Sequence, residues 1–240
     1  NELHPNQIIE IALQEAKLYQ QAGIDSLIIE NMHDVPYLKN EIGHEVSTLM
    51  TLVSHEVKKE TGLPLGIQIL AGANMAALAS AKSSGADFIR AEGFVFGHIA
   101  DEGYIDAQAG KLLRYGKDID AESIAIFTDI KKKHSSHAIT NDISLLETAK
   151  AAEFFLSDGV VVTGVETGSS ASLQELQSLK GQLKIPVFVG SGISIENLKN
   201  YVPLCDAMII GSHFKEDGLW SNALNYDRIA QFMESFNKQR

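Results

Sequence analysis

The chain has 240 residues, 45% of them hydrophobic, with 5 prolines, one cysteine and a formal net charge of −11 at pH 7. That length suits one large core, the acidity argues against a nucleic-acid backbone as partner, and the lone Cys205 excludes an internal disulfide. No apolar run approaches the ~20 residues that a membrane helix needs and neither end reads as a signal peptide, so the expected setting is the cytoplasm or an organellar matrix, without membrane insertion.

The elements alternate along the chain. Pro5 to Ala22 reads as an amphipathic helix, with Ile8, Ile9, Ala12, Leu13, Ala16 and Tyr19 at helical spacing, Pro5 in the first turn and Gly23 at the end. Ser26 to Asn31 is a strand, and His44 to Thr61 is a helix stopped by Gly62 and Pro64. Leu65 to Leu70 is a strand, Asn74 to Ser84 an alanine-rich helix, and Phe88 to Glu92 a strand. The connection from Gly93 to Gly110 is long for a compact domain and is a candidate lid. A short helix near Lys111 to Tyr115 leads to the strand Ile124 to Asp129. Ser144 to Leu156 is a helix, with Ser144 or Asp142 as its cap and Glu147 near its third position. Val160 to Thr163, Pro186 to Val189 and Ala207 to Ile210 are strands, separated by the helices Ser172 to Leu183 and Ile195 to Val202. Tyr226 to Phe236 closes the chain as a helix.

Short apolar strands alternating with helices indicate a parallel sheet with crossovers, and 240 residues match one (β/α)8 barrel in a single domain. The pattern holds seven strands and eight helices and starts on a helix, so either the first barrel strand lies upstream of Asn1 or the barrel is closed some other way. A sheet lacking one strand exposes two edges, and covering them favours a homo-oligomer.

Two strands late in the chain stop at glycine and serine, at Gly190-Ser191-Gly192 and at Gly211-Ser212. Glycine lets backbone N–H groups approach an anion closely. The loops after the last two strands of a (β/α)8 barrel commonly hold phosphate. The alternative is that these glycines only terminate strands.

Strand side chains alternate, so parity separates the barrel interior from its helix-covered side. Arg90 and Glu92 share a parity, as do Phe127, Asp129 and, if the strand continues, Lys131. Glu30, Asn31, Gln68 and Thr163 add polar groups near the ends of other strands. Desolvating such groups costs several kcal/mol unless they are paired, and barrel enzymes place their chemistry at these strand ends. The plain alternative is that Arg90 pairs with Glu30 or Glu92 and plugs the barrel. On the functional reading Glu30, Glu92, Asp129 and Lys131 are the catalytic candidates. Asn31, Gln68, Arg90, His134, Thr163, Gly164 and the two Gly-Ser turns then bind substrate. Lys132 and Lys133 also fit a solvated loop. His134 and His137 are candidate bases or ligands. Glu30, Glu92 and Asp129 offer oxygens that suit a divalent metal, although no HxH, HExxH or CxxC spacing supports one, and no cofactor is assigned. The chain has no P-loop, no GxSxG elbow and no dinucleotide fingerprint.

Several segments together resemble the BtpA/SgcQ family. They are Ile29-Glu30-Asn31-Met32-His33-Asp34-Val35-Pro36, Gly66-Ile67-Gln68, Arg90 with Glu92-Gly93, Thr128-Asp129-Ile130-Lys131-Lys132-Lys133-His134, Thr163-Gly164 with Thr167-Gly168, Gly190-Ser191-Gly192 and Gly211-Ser212-His213-Phe214-Lys215. The Glu30 and Asp129 segments are worded like those of its animal members. The resemblance implies a TIM barrel whose first strand ends in a Leu-Pro-Gly-like turn. It also implies two kinds of role: photosystem I biogenesis in cyanobacteria, and association with sugar-metabolism genes. It supplies no settled reaction. Two functions are therefore expected as alternatives. One is an enzyme for a small phosphorylated metabolite, a sugar phosphate or nucleotide fragment, acting by isomerase or lyase chemistry or by glycosidic hydrolysis. The other is a non-catalytic assembly or stability factor.

Overall fold

The computed structural model describes residues 3–164 and 168–239. Helix α1 (Pro5–Gln21) is capped by His4, which accepts a hydrogen bond from the Asn6 amide, with Pro5 in its first turn. It leads into β1 (Leu27–Glu30), α2 (His44–Thr61), β2 (Leu65–Gln68), α3 (Asn74–Ser84) and β3 (Phe88–Ala91). Next come β4 (His98–Ala100), β5 (Gly103–Ile105), α4 (Ala109–Asp118), β6 (Ala125–Ile130) and β7 (Ser135–Ser136). The remainder is α5 (Leu145–Phe154), β8 (Gly159–Val162), α6 (Leu173–Leu179), β9 (Val187–Val189), α7 (Leu198–Tyr201), β10 (Ala207–Met208) and α8 (Tyr226–Asn237). Among the described residues, no helix is long and apolar enough to cross a membrane.

Seven strands form one parallel sheet in the order β1-β2-β3-β6-β8-β9-β10, with Glu30 level with Gln68 and Arg90 level with Phe127. Helices link these sequential parallel strands, and this is the construction of a (β/α)8 barrel. The strand expected ahead of α1 is not among the described residues. Strand β1 and the residues that follow β10, Ile209 and Ile210, instead border a groove whose wall includes Ile8 and Ala12 of α1 and Met50 and Val53 of α2.

Parity sorts the interior as the sequence suggested. Phe88, Phe127 and Phe188 meet inside the barrel, with ring centroids 5.2 and 4.6 Å apart. Gly66 makes room for Phe88, since a Cβ there would lie 2.0 Å from its ring. Two residues further along the same strands, on the same face, come Gln68, Arg90, Asp129 and Gly190. An aromatic layer therefore lies beneath a polar layer, which places the polar side chains at the carboxyl ends of the strands.

The stretch 93–110 is a built element rather than a long open loop. Strands β4 and β5 form an antiparallel hairpin, and β7 pairs with the other side of β4, giving a second, three-stranded sheet. The hairpin turn, Asp101-Glu102, and its short flanking strands were the missed signal. Helix α4 is longer than its sequence pattern suggested, and the strand at 207 is shorter. The capping box at Ser144 forms as expected: its Oγ accepts the Glu147 amide at 3.2 Å, and Glu147 Oε2 accepts the Ser144 amide at 2.8 Å.

Candidate active site

Arg90 is the centre of the polar layer. Its Nε and Nη2 donate to the two Asp129 oxygens at 3.0 and 2.9 Å, and its Nη1 donates to Glu30 Oε1 at 3.1 Å. Strands β1, β3 and β6 are thereby tied together through one guanidinium. The Arg90 and Asp129 side chains are only 5% and 1% exposed, whereas Glu30 reaches 20%. Burial alone would weaken the guanidinium's grip on its proton, but Asp129 and Glu30 outweigh it and hold Arg90 firmly charged.

A second buried group lies beside it. Glu92 Oε1 accepts from Gln68 Nε2 at 3.2 Å and pairs with Lys132 Nζ at 3.4 Å. Glu92 Oε2 and Gln68 Oε1 are buried with no hydrogen-bond partner among the described residues. Burial pushes the Glu92 carboxyl above the ordinary range, and the Lys132 ammonium opposes that shift. Asn74 fixes the backbone at Glu92, accepting its N–H at 3.1 Å and donating to its carbonyl at 2.7 Å. Beside Asp129 a small space of about 20 Å³ is bordered by His98, His137 and Lys132. The His98 and His137 rings lie 5.4 Å apart. Burial first, then the positive charge of Lys132, lowers His98 to about 4.

The three successive lysines go three ways. Strand β6 ends at Ile130, and Lys131 adopts a positive φ of 45°. That turn breaks the alternation on which Lys131 was placed beside Asp129. Lys131 Nζ instead donates to the Thr140 carbonyl at 3.2 Å. Lys132 turns inward to Glu92. Lys133 lines the large cavity, its backbone N–H donating to Thr163 Oγ1 at 3.0 Å. Burial and the nearby Arg90 charge lower the Lys133 ammonium from its ordinary value, against the pull of Glu30, Asp129 and Glu92. His134 is exposed and is not among the residues lining this cavity.

The cavity, of about 1110 Å³, runs from the strand ends into the groove between β1 and β10. Glu30, Asn31, Arg90 and Lys133 line it together with both Gly-Ser turns. Asn31 also splices two strand ends, accepting the Leu70 N–H at 2.8 Å. His33 and Trp220, from the loops after β1 and β10, meet with ring centroids 5.1 Å apart and planes tilted by 49°. Asp129, Glu92, Gln68 and Thr163 do not line the cavity; they lie behind the residues that do.

The first Gly-Ser turn, Gly190-Ser191-Gly192, is held by side chains on both sides. Ser191 Oγ donates to the Ser169 carbonyl at 2.9 Å and accepts the Gly164 N–H at 2.7 Å. Asn197 Nδ2 donates to the Gly192 carbonyl at 2.8 Å. Gly192 has a φ of +67°, and a Cβ there would fall 2.3 Å from the Ser169 and Ser170 backbone. A Cβ on Gly190 would lie 3.3 Å from Arg90 Nη2, so this turn rests directly against the guanidinium. A Cβ on Gly211 would meet nothing within 4 Å. The backbone N–H groups of Ser191, Gly192, Gly211 and Ser212 make no hydrogen bond among the described residues. Thr167, part of the neighbouring motif, lies outside the described residues.

Each strand-end carboxylate is thus matched to a cation of the chain. No cluster of three or more His, Cys, Asp or Glu among the described residues is arranged to hold a metal.

Comparison with known proteins gives the chain its family. The model of the BtpA family matches residues 2–238, and the chain belongs to that family. A mitochondrial protein of Caenorhabditis elegans is 48% identical over 242 residues, covering 99% of this chain and 87% of its own length. The photosystem I biogenesis protein BtpA of Synechocystis is 31% identical, covering 95% of this chain and 79% of its own length. Among solved structures, (S)-3-O-geranylgeranylglyceryl phosphate synthase of Thermoplasma acidophilum, in complex with sn-glycerol-1-phosphate, superposes with a TM-score of 0.63. It is 18% identical, and the match covers 95% of this chain and 88% of that one. That likeness is one of fold.

Proposed function

We propose that this BtpA-family chain is an enzyme acting on a small phosphorylated metabolite, such as a sugar phosphate or a nucleotide fragment, by proton transfer. The observation that carries the reading is the set of four backbone N–H groups without a partner among the described residues, at Ser191, Gly192, Gly211 and Ser212, all on residues that line a cavity beside Arg90. Unpaired N–H groups on glycine turns suit a phosphate. Glu30 is the carboxylate that both lines the cavity and touches Arg90, which suits it to take a proton from a bound substrate. Asp129 and Glu92, nominated from the sequence as catalytic, are better read as the groups that hold Arg90 and Lys132 in place. The phosphate-bound fold relative agrees with this reading, and the mitochondrial worm relative favours an organellar matrix over the cytoplasm.

Titration calorimetry with inorganic phosphate is the test. Saturable binding is expected in the native chain and none in Gly211→Asp. That position has room for a side chain, so the variant folds while placing a negative charge in the turn. Equal phosphate binding by both proteins refutes the site.

One observation favours the assembly-factor reading. Arg90, Glu30 and Asp129 satisfy one another, as Glu92 and Lys132 do, and such a plug needs no substrate. The photosystem I role of the Synechocystis relative points the same way. On that reading phosphate does not bind, and Gly211→Asp leaves the protein's cellular role intact.

A further inference from the structure

We infer that the site takes a nucleoside 5′-monophosphate, whose base lies flat on the indole of Trp220 while its phosphate occupies the Gly-Ser turns. This inference rests on the phosphate site proposed above and specifies the rest of the ligand as a planar heteroaromatic ring on a sugar. Trp220 is the only tryptophan of the chain, and it lines the same cavity as Arg90 and both Gly-Ser turns. It is 36% exposed. His33, also exposed and also lining the cavity, meets it from the loop after β1. Two aromatic rings from two different connections therefore share the wall of the cavity, and neither is sunk into the core.

The chain braces Trp220 in that position. The connection after β10 carries both Gly211-Ser212 and Trp220, and it closes on itself. An antiparallel bridge joins Lys215 to Leu224, the Glu216 amide donates to the Ala223 carbonyl at 2.8 Å, and the Asn225 amide donates to the Phe214 carbonyl at 2.8 Å. On either side of Trp220 the Leu219 and Asn222 amides donate to the Glu216 and Leu219 carbonyls at 3.1 and 3.0 Å. The Asn222 and Asn225 side chains fasten Glu216, donating to its carbonyl at 3.1 Å and to its carboxylate at 3.0 Å. A large apolar ring left in water on a braced loop contributes little to the fold, and a flat partner is what such a ring suits. Stacking asks only for a π-face, which every base has. A sugar phosphate alone would fill the turns and leave the aromatic rings bare, whereas a nucleoside monophosphate uses both.

The test titrates the full chain with AMP, UMP, adenosine, ribose 5-phosphate and inorganic phosphate, read by calorimetry and by the fluorescence of the single tryptophan. The expected result is saturable quenching by AMP or UMP, with an affinity at least about fivefold above that of ribose 5-phosphate, the least that stacking on an aromatic ring supplies. Ribose 5-phosphate should bind by calorimetry and leave the fluorescence unchanged. Trp220→Ala should bring the nucleotide down to the affinity of ribose 5-phosphate, while Trp220→Phe, which keeps a π-face, retains most of the advantage. Nucleotides that bind the native chain no tighter than ribose 5-phosphate, or that bind Trp220→Ala as tightly as the native chain, overturn the inference. Because the first comparison is made on the native chain, the answer does not depend on a variant folding. The two readings fail separately. Binding of inorganic phosphate and ribose 5-phosphate with no advantage for either nucleotide removes the base platform and leaves the phosphate site. Adenosine that quenches Trp220 and binds as tightly as AMP, undisturbed by inorganic phosphate, keeps the platform and removes the phosphate site, which overturns the monophosphate as ligand.

Discussion

The sharpest consequence of the geometry concerns Asp129→Asn. In the native protein Asp129 takes two hydrogen bonds from Arg90, at 3.0 and 2.9 Å, with both side chains almost wholly buried. An asparagine keeps the shape but not the charge. One of its two polar atoms is an amide nitrogen, which would face an Arg90 N–H, donor against donor. Arg90 would be left buried with only the partly exposed Glu30 as counter-charge. Breaking one side of a buried ion pair costs about 3–5 kcal/mol. For a chain of this size that lowers the melting temperature by about 6–20 °C. Urea unfolding followed by far-UV circular dichroism measures the loss. Glu234→Gln is the control: its Lys238 pair is exposed, so a change of less than about 0.5 kcal/mol is expected. Arg90→Met combined with Asp129→Leu and Glu30→Gln should recover most of the lost stability, because apolar or neutral replacement of a complete buried ion group is often neutral. A loss below about 1 kcal/mol in Asp129→Asn would refute the claim that this carboxylate carries Arg90.

Other outcomes follow from local features. His98 is held neutral in the fold, its value lowered to about 4 from an ordinary 6.5. Its contribution to stability is therefore present above pH 6.5 and is lost as pH falls through 4, amounting to at most ~3 kcal/mol. Denaturation midpoints taken across that window should fall more steeply for the native protein than for His98→Phe, and identical slopes would contradict the assignment. Gly192→Ala must place a Cβ against the Ser169 and Ser170 backbone at positive φ; it should lose about 1–3 kcal/mol, read as a shifted urea midpoint, while Gly211→Ala stays within about 0.5 kcal/mol of the native value. Phe154, Phe155 and Leu156 stand exposed together at the end of α5, at 81%, 47% and 71%. If they carry the homo-oligomer expected from the sequence, Phe154→Glu sediments as a smaller species than the native protein, and unchanged sedimentation removes that face from consideration.

Much of this architecture is visible in the residue pattern because periodicity is a strong signal. The seven parallel strands each show a short apolar run, and alternation alone gathers Arg90, Asp129, Gln68 and Glu30 at one end of the barrel. Parity fails where the backbone leaves the strand. Lys131 shares its parity with Asp129, yet a non-glycine residue at positive φ gives no warning in composition, and it turns the following lysines onto other faces. Lys133, which one reads naturally as part of a solvated loop, therefore reaches the cavity, and Lys132 becomes a buried partner of Glu92. The hairpin at β4 and β5 was missed for a different reason. Its strands have three residues each, too few for alternation to register, and its third partner is the serine pair of β7. The Gly-Ser turns are visible as glycines, but the shape of the first depends on contacts with Ser169 and Asn197 that only the folded chain brings together.

Among the described residues inside the barrel, the carboxylates Glu30, Glu92 and Asp129 stand beside Arg90, Lys132 and Lys133. On the proposed reading, a phosphate entering this site would find the cations of the described residues already facing carboxylates, and its binding would rest largely on backbone dipoles. Outside, the chain carries a net charge of −11 and repels anions at a distance. If phosphate is the ligand, the protein would capture it against its own field. Dissolved salt, which slows most phosphate-binding proteins by shielding an attraction, would here shield a repulsion. Association should quicken as ionic strength rises, while the lifetime of the complex, set by short-range hydrogen bonds, stays nearly constant.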